Sequence, residues 1–337
     1  MKSFRRNILI IISVTTIGLY VMAASILLDP IYRKYVSRPA ELIGFWMYET
    51  EAEIVEQAKM GANTATADLP WTPVVDQSSP IRIGGKVSPR MKDFINDIGK
   101  NNFMGVVHIG ARNQPYFPIY PSWFFTYFPQ IIMQDRNNMP IKVGSSITSS
   151  WPSFDASPIV YGSTEYVKKT TEKYADEERI KYWVMGGEQF YPGVWADYNP
   201  TAVHHFQEWL KVKYKSLEFL NTAWNTNFSS WSEVEPTKDY STKDIRYLDW
   251  LLFRDDNTNE QFQYTYQAII SNDSDTPVFA PVHGSVYTNS MRANFGMDLN
   301  GYAMNSDGFE TGQIIVDSDP DYFNLMYFEF LNGFQKP

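Results

Sequence analysis

The sequence predicts an α/β chain folded as a parallel barrel of the (β/α)8 TIM type, incomplete, with about six of its eight strand–helix units. Three observations predict it. Strand-like and helix-like segments alternate from residue 41 onward, and such alternation implies parallel strands joined by right-handed crossovers. Counting the segments gives six units. The last helical pattern, Asp319–Phe334, is followed only by Lys336-Pro337, so the barrel of residues 41–337 is expected to be truncated as its seventh strand begins.

Ahead of the barrel, Lys2, Arg5 and Arg6 precede Ile8–Leu28, 21 residues without a charge. At about 1.5 Å per residue, that run crosses a bilayer core of about 30 Å. It is longer than the apolar region of a cleaved signal peptide, about 7–15 residues. Ala23-Ala24-Ser25 is a weak candidate for a small-residue cleavage site, but it lies inside the run. Residues 1–28 are therefore expected to be an uncleaved membrane anchor, in preference to a cleaved signal, with the barrel on the outer side. Residues 29–40, broken by Pro30 and Pro39, read as a linker.

Strand one is expected over Leu42–Tyr48. Helix one, Glu51–Met60, starts at Thr50 as its N-cap and stops at Gly61. Strand two is Asn63–Ala67, and a long polar loop after it carries Trp71, Pro73 and Gly84-Gly85. Pro89–Lys100 is helix two and Phe103–Ile109 is strand three. Ala111–Ser157, rich in Pro, Asn, Ser and aromatics, is too long for an ordinary connection and reads as a functional excursion. Thr164–Ala175 is helix three and Ile180–Met185 is strand four. Pro200–Tyr214 and Leu217–Trp224 are helices of a second excursion. Leu248–Ile270 is a long helix, Pro277–Val282 is strand five, and strand six is placed at or near Gly301–Asn305.

Composition narrows the function. Hydrophobic residues are 44% of the 337, enough for a sizeable core. Aromatics are 16%, which fits either a bulky core or a cleft lined by flat rings. The absence of cysteine excludes disulfides, cysteine-bound zinc, iron–sulfur clusters and a thiol nucleophile. The net charge is -9 with no Lys/Arg cluster, which argues against nucleic-acid binding. No glycine-rich nucleotide motif follows a strand, and no His-x-His cluster follows strand one. No cofactor and no metal is expected.

In such a barrel, function gathers at the carboxyl ends of the strands. Those ends offer Trp46, Tyr48 and Glu49, then Asp68 and Trp71, then His108, Gly110 and Arg112. Strand four offers Glu188, Gln189 and Tyr191, strand five offers His283, and strand six offers Asn305 and Asp307. Glu188 stands out, because the apolar strand Tyr182-Trp183-Val184-Met185 runs into Gly186-Gly187 and then this carboxylate. Glycines permit a tight turn and close ligand approach. A carboxyl group among Trp and Tyr rings holds its proton more tightly, as a glycosidase general acid must. A Glu that caps a helix or pairs with an Arg fits the residues equally well.

The other candidates carry bland alternatives, and for a lone His the structural role is the more common one. Trp46, Trp71 and Tyr191 are placed to stack on a sugar or to fill the core. His108, Gln189, His283 and Asn305 are placed to bind sugar hydroxyls or to serve as structural hydrogen bonders. His204-His205 sit on a helix, where at most one faces inward, and Glu310 is expected in a loop after strand six.

The run Phe206-Gln207-Glu208-Trp209-Leu210-Lys211-Val212-Lys213-Tyr214, then Leu217, Leu220-Asn221, Ala223-Trp224 and Trp231, resembles glycoside hydrolase family 42. That family comprises β-galactosidases and relatives within the large clan of retaining (β/α)8 glycosidases. Pro121-Ser122-Trp123 and Tyr127-Phe128-Pro129 resemble its third loop. The resemblance is strongest over residues 180–236. It implies retaining hydrolysis of a β-glycoside, with Glu188 as general acid and then general base. It also implies a second Glu on strand seven as nucleophile, beyond Lys336-Pro337, so that this fragment alone would be inactive. One departure matters: the family's acid/base follows an Asn that binds the sugar 2-hydroxyl, and Gly187 stands there. A carbohydrate-binding protein that keeps the barrel without the catalysis is the alternative.

Overall fold

The computed structural model describes residues 44–45, 48, 50–69, 71, 73–75, 83–109, 122–142, 150–186, 191–283, 296 and 298–312. The expected anchor Ile8–Leu28 and the helix Asp319–Phe334 lie outside them. No helix among the described residues is long and apolar enough to cross a membrane.

Six parallel strands form the main sheet: β1 (Gly44–Phe45), β2 (Thr64–Leu69), β5 (Met104–Ile109), β6 (Ile180–Met185), β7 (Val278–His283) and β8 (Gly308–Gly312). They lie in chain order, each hydrogen-bonded in parallel to the next. Helices connect them: α1 (Glu51–Lys59), α2 (Pro89–Lys100), α4 (Ser157–Tyr174), α7 (Ile245–Ile270) and α8 (Leu299–Met304). This is the wall of a (β/α)8-type barrel. Local chemistry sets the helix starts. Glu53 reaches back to accept from the Thr50 amide at 3.1 Å, and Pro89 opens α2 where no amide is needed. Asp244 caps α7 by accepting from the Arg246 amide at 2.9 Å.

Side chains alternate along each strand. Ala65, Ala67, Leu69, Val107, Ile109, Trp183, Met185 and Ala280 join one core with Ile54, Phe94, Ile98, Tyr166 and Phe262 of the helices. The intervening residues turn to the opposite, inner face.

Four expectations are corrected. Gly301–Asn305 is not a strand. Asp298 accepts from the amides of Asn300 at 3.3 Å and Gly301 at 3.1 Å, and this cap starts α8 there. The sixth strand of the sheet is β8, fastened to β7 where the Asp307 amide donates to the Val278 carbonyl at 2.7 Å. Second, the polar loop after β2 contains an antiparallel pair, β3 (Pro73–Val75) and β4 (Ile83–Gly85). Third, α4 begins seven residues earlier than Thr164, with Pro158 in its first turn. Gly85 of β4 packs directly on this helix: a Cβ on Gly85 would lie 2.6 Å from the Gly162 carbonyl oxygen and 2.5 Å from the Tyr166 Cβ. Strand and helix touch there, and Gly85 has no room for a side chain. Fourth, the described residues of the first excursion form α3 (Ser122–Tyr127), a 3-10 turn (Pro129–Ile131) and isolated bridges such as Ile132 to Pro152.

The second excursion holds α5 (Pro200–Tyr214) and α6 (Leu217–Trp224), both as expected. It has its own apolar cluster of Phe206, Leu210, Leu220, Trp224, Val234, Tyr247, Trp250 and Phe253. Buried Asp249 of α7 ties it together, accepting from Lys213, from the Tyr214 hydroxyl at 2.7 Å and from the Trp224 indole at 2.8 Å. The residues that carry the family resemblance thus build a structural hub. Helix α7 serves both cores: Tyr247, Trp250 and Phe253 face the excursion, and Phe262, Ala268 and Ile269 face the barrel wall.

Candidate active site

Both excursions leave the carboxyl ends of adjacent strands, β5 and β6, and they are stitched to each other. Asn199 Nδ2 donates to the carbonyls of Gln130 at 2.6 Å and Ile132 at 2.8 Å. The Tyr198 amide donates to the Gln134 carbonyl at 2.8 Å. Asp197, buried beneath them, accepts from the amides of Gln134 at 3.0 Å and Asn199 at 2.8 Å. Burial pushes its carboxyl up to about 7; hydrogen bonds from Ser153 and the two amides oppose the shift, and the Asp155 charge adds to it.

The inner strand face carries the polar groups. Asp68 of β2 and His108 of β5 are direct register partners. Burial drives the His108 imidazole down to about 4, with the Gly186 backbone pulling the other way, so the ring is neutral at pH 7. A neutral imidazole offers one donor and one acceptor, which suits hydroxyl recognition better than proton transfer near neutrality. Farther along the sheet, Tyr182 of β6 stacks on Phe279 of β7, with centroids 4.6 Å apart. Burial and the Glu310 carboxylate both raise the Tyr182 hydroxyl.

The strand β6 ends in a turn. Gly186 has φ +78°, a conformation that favours glycine, and its amide donates to the Val184 carbonyl at 2.8 Å. Glu188 and Gln189 follow and lie outside the described residues, as does Trp46. His283 ends β7, and its side chain lies outside them too.

The expected residues separate. His108 sits on the inner face, buried near the end of β5. Trp71 is fully buried in the core, edge-on to Phe124 at 6.0 Å, with its indole donating to the Gly84 carbonyl at 3.4 Å. Core filling is the role its surroundings give it. Tyr191 is also buried, held from several sides rather than offered as a stacking face. Asn305 is corrected outright. It is the C-cap of α8, donates to the Gly301 carbonyl at 2.9 Å, and precedes β8, so it stands at the amino end of the strands. Asp307 shares that end, accepting from the Val278 amide at 2.9 Å. Glu310 lies on β8 itself rather than in a loop. Trp183 faces the helices and donates to Asp273 at 2.8 Å, so Tyr182, not Trp183, is the ring of this motif on the inner face.

Some residues escaped the sequence reading. Arg254, Asn257 and Gln261 form a buried polar stripe on α7, spaced three and four residues apart. That helical spacing of polar groups inside an otherwise apolar pattern was the available signal. His205 is the member of its pair that faces inward. Its Nδ1 lies 2.6 Å from Asp155 and its Nε2 3.4 Å from Glu260. Burial works against its charge, but the Asp155 hydrogen bond and the nearby carboxylates win and raise its pKa. These groups line a cleft of about 720 Å³ between α4 and α7, apart from the inner strand face.

Comparison with known proteins fits this geometry. The profile of glycoside hydrolase family 42, described as beta-galactosidase, matches residues 110–313. Beta-galactosidase LacA of Lactobacillus acidophilus is 28% identical over 179 residues, 49% of this chain and 26% of its own length. Beta-galactosidase BglY of Alicyclobacillus acidocaldarius is 29% identical over 146 residues, 41% of this chain and 20% of its own. The matched stretch thus spans about a quarter or less of these relatives. Among solved structures, the beta-galactosidase from Bacillus circulans sp. alkalophilus superimposes with a TM-score of 0.67 at 20% identity, covering 87% of this chain and 43% of that one. That likeness concerns the fold. The family match covers more than half of the sequence, including β6, its exit turn and the whole second excursion, and on that ground the chain belongs to glycoside hydrolase family 42.

Proposed function

We propose that this protein is a retaining β-glycosidase of the β-galactosidase type, with Glu188 as its acid/base. The observation that carries the reading is positional. Glu188 comes two residues after Gly186, where β6 turns out of the sheet at its carboxyl end, inside the stretch matched by the family. In this reading Glu188 first protonates the departing glycosidic oxygen. A second carboxylate, on the strand that would follow β8, attacks the anomeric carbon and forms a covalent glycosyl intermediate. Glu188 then takes a proton from the water that hydrolyses it. The neutral His108, with Trp46, Gln189 and His283, would contact sugar hydroxyls or faces. Ile8–Leu28 would anchor the protein in the cell membrane with the barrel outside.

Gly187 in the place of the family's Asn favours a second reading, a carbohydrate-binding barrel without hydrolysis. Substitution Glu188→Gln in the full-length protein separates the two. Hydrolysis of glycosides with poor leaving groups should fall by about 10²–10⁴-fold, and hydrolysis of activated aryl glycosides far less. Unchanged rates on both substrate types would reject Glu188 as the acid, and binding of galactosides without turnover would support the second reading.

A further inference from the structure

We infer that Tyr191 and Asn257 are positioning residues that fix the acid/base segment of the barrel by clamping its downstream end onto α7. The inference rests on Glu188 being the acid/base.

The segment of interest is bounded by two described residues. Gly186 closes β6. Tyr191 is five residues later, and the four residues between them include Glu188. Tyr191 is 1% exposed. The Arg254 guanidinium lies over its ring, 4.3 Å from the centroid. Phe154 meets the ring edge-on at 4.9 Å. The backbone of Gly296 closes another side, since a Cβ there would sit 2.9 Å from the Tyr191 Cδ2. Asn257 Nδ2 donates to the Tyr191 hydroxyl at 2.9 Å and to Asp155 Oδ2 at 2.9 Å. Its Oδ1 accepts from Gln261 at 3.2 Å, so the amide is held in one orientation. Arg254 also donates to the Gly193 carbonyl at 2.9 Å and fixes the backbone two residues on.

This arrangement differs from ordinary core filling. A buried phenol needs a partner for its hydroxyl, and one hydrogen bond would suffice. Here the ring, the hydroxyl and the following backbone are each held, and α7 supplies a partner for all three. A general acid must sit within hydrogen-bond reach of the departing oxygen, and small misplacement costs rate steeply. A segment anchored at only one end would leave that placement to chance.

The experiment uses the full-length protein with Tyr191→Phe, which keeps the ring, and Asn257→Ala, which removes both donors. With poor-leaving-group galactosides, Tyr191→Phe should lower kcat by roughly tenfold with KM unchanged, while activated aryl galactosides change less than about twofold. Hydrogen exchange in a peptide spanning residues 186–193 should accelerate in both variants while exchange in β6 stays as in the wild type. Glu188→Gln runs alongside. If Glu188→Gln shows the leaving-group dependence and Tyr191→Phe shows neither it nor faster exchange, the clamp is refuted and the acid assignment stands. If Glu188→Gln shows no dependence, the acid assignment falls and this inference falls with it.

Discussion

His108 and Asp68 stand side by side on adjacent parallel strands, each one residue short of its strand's carboxyl end. The imidazole there is 1% exposed, and burial lowers its pKa from 6.5 to about 4. An unfolded chain therefore takes up a proton between those values that the folded one refuses. Stability from this residue is complete above pH 6.5 and is lost as the pH falls toward 4, by ~3 kcal/mol in all. His108→Gln should flatten the acid side of the stability curve, measured by urea unfolding from pH 4 to 7. An unaltered slope would mean the ring titrates normally.

Asp197 has the opposite sign. Its carboxyl is pushed up to about 7 by burial, so the folded state holds a proton that the unfolded state has released near 3.8. Its contribution is complete below pH 3.8 and is lost as the pH rises toward 7. Asp197→Asn keeps an oxygen for the Gln134 and Asn199 amides and cannot ionise. It should gain stability relative to the wild type as the pH is raised from 4 to 8, and parallel curves would contradict the assignment.

The buried Asp249 hub should be costly to lose. Asp249→Leu strands the Tyr214 hydroxyl, the Trp224 indole and the Lys213 ammonium near an apolar cluster. Removing one partner of such a buried set costs about 3–5 kcal/mol. Trp224→Phe, which deletes a single donor, should cost more through its unmet carboxylate contact than through volume, about 1–3 kcal/mol. Thermal unfolding of the two variants gives the order.

Gly85→Ala places a methyl group 2.5 Å from the Tyr166 Cβ and 2.6 Å from the Gly162 carbonyl. Overpacking of this kind costs about 1–3 kcal/mol. Limited proteolysis should cut the β3–β4 pair faster in this variant, while α7 stays protected.

Much of the wall was legible. β6, α2, α5 and α6 fall where apolar periodicity and turn residues put them, because each has a strong local pattern and a clear stop. β8 did not, for a physical reason. Gly308-Phe309-Glu310-Thr311-Gly312 has one large apolar residue between glycines, and its strand conformation comes from pairing with β7 rather than from its own propensity. Tyr302-Ala303-Met304 is a short apolar run that periodicity alone cannot assign to strand or helix, and the Asp298 cap decides it. The start of α4 carries Pro158 and Gly162, both poor helix formers in an interior, but a proline in the first turn costs no hydrogen bond. The place of His108 near its strand end was legible, whereas Tyr191 looked like a sugar platform because its partners on α7 are more than sixty residues away.

The division of α7 between two cores has a consequence for how such a protein can change. The buried apolar residues up to Phe253 belong to the excursion cluster, and those from Phe262 onward belong to the wall. Between them stand Arg254, Asn257, Thr258 and Gln261, all buried and polar. That band is a natural seam. Substitutions on the excursion side can accumulate without touching the strands below. An excursion grafted from another barrel would need to match this seam, the Asp197 stitch and the His205 contact with Asp155. The excursion and the wall can thus diverge separately along one continuous helix.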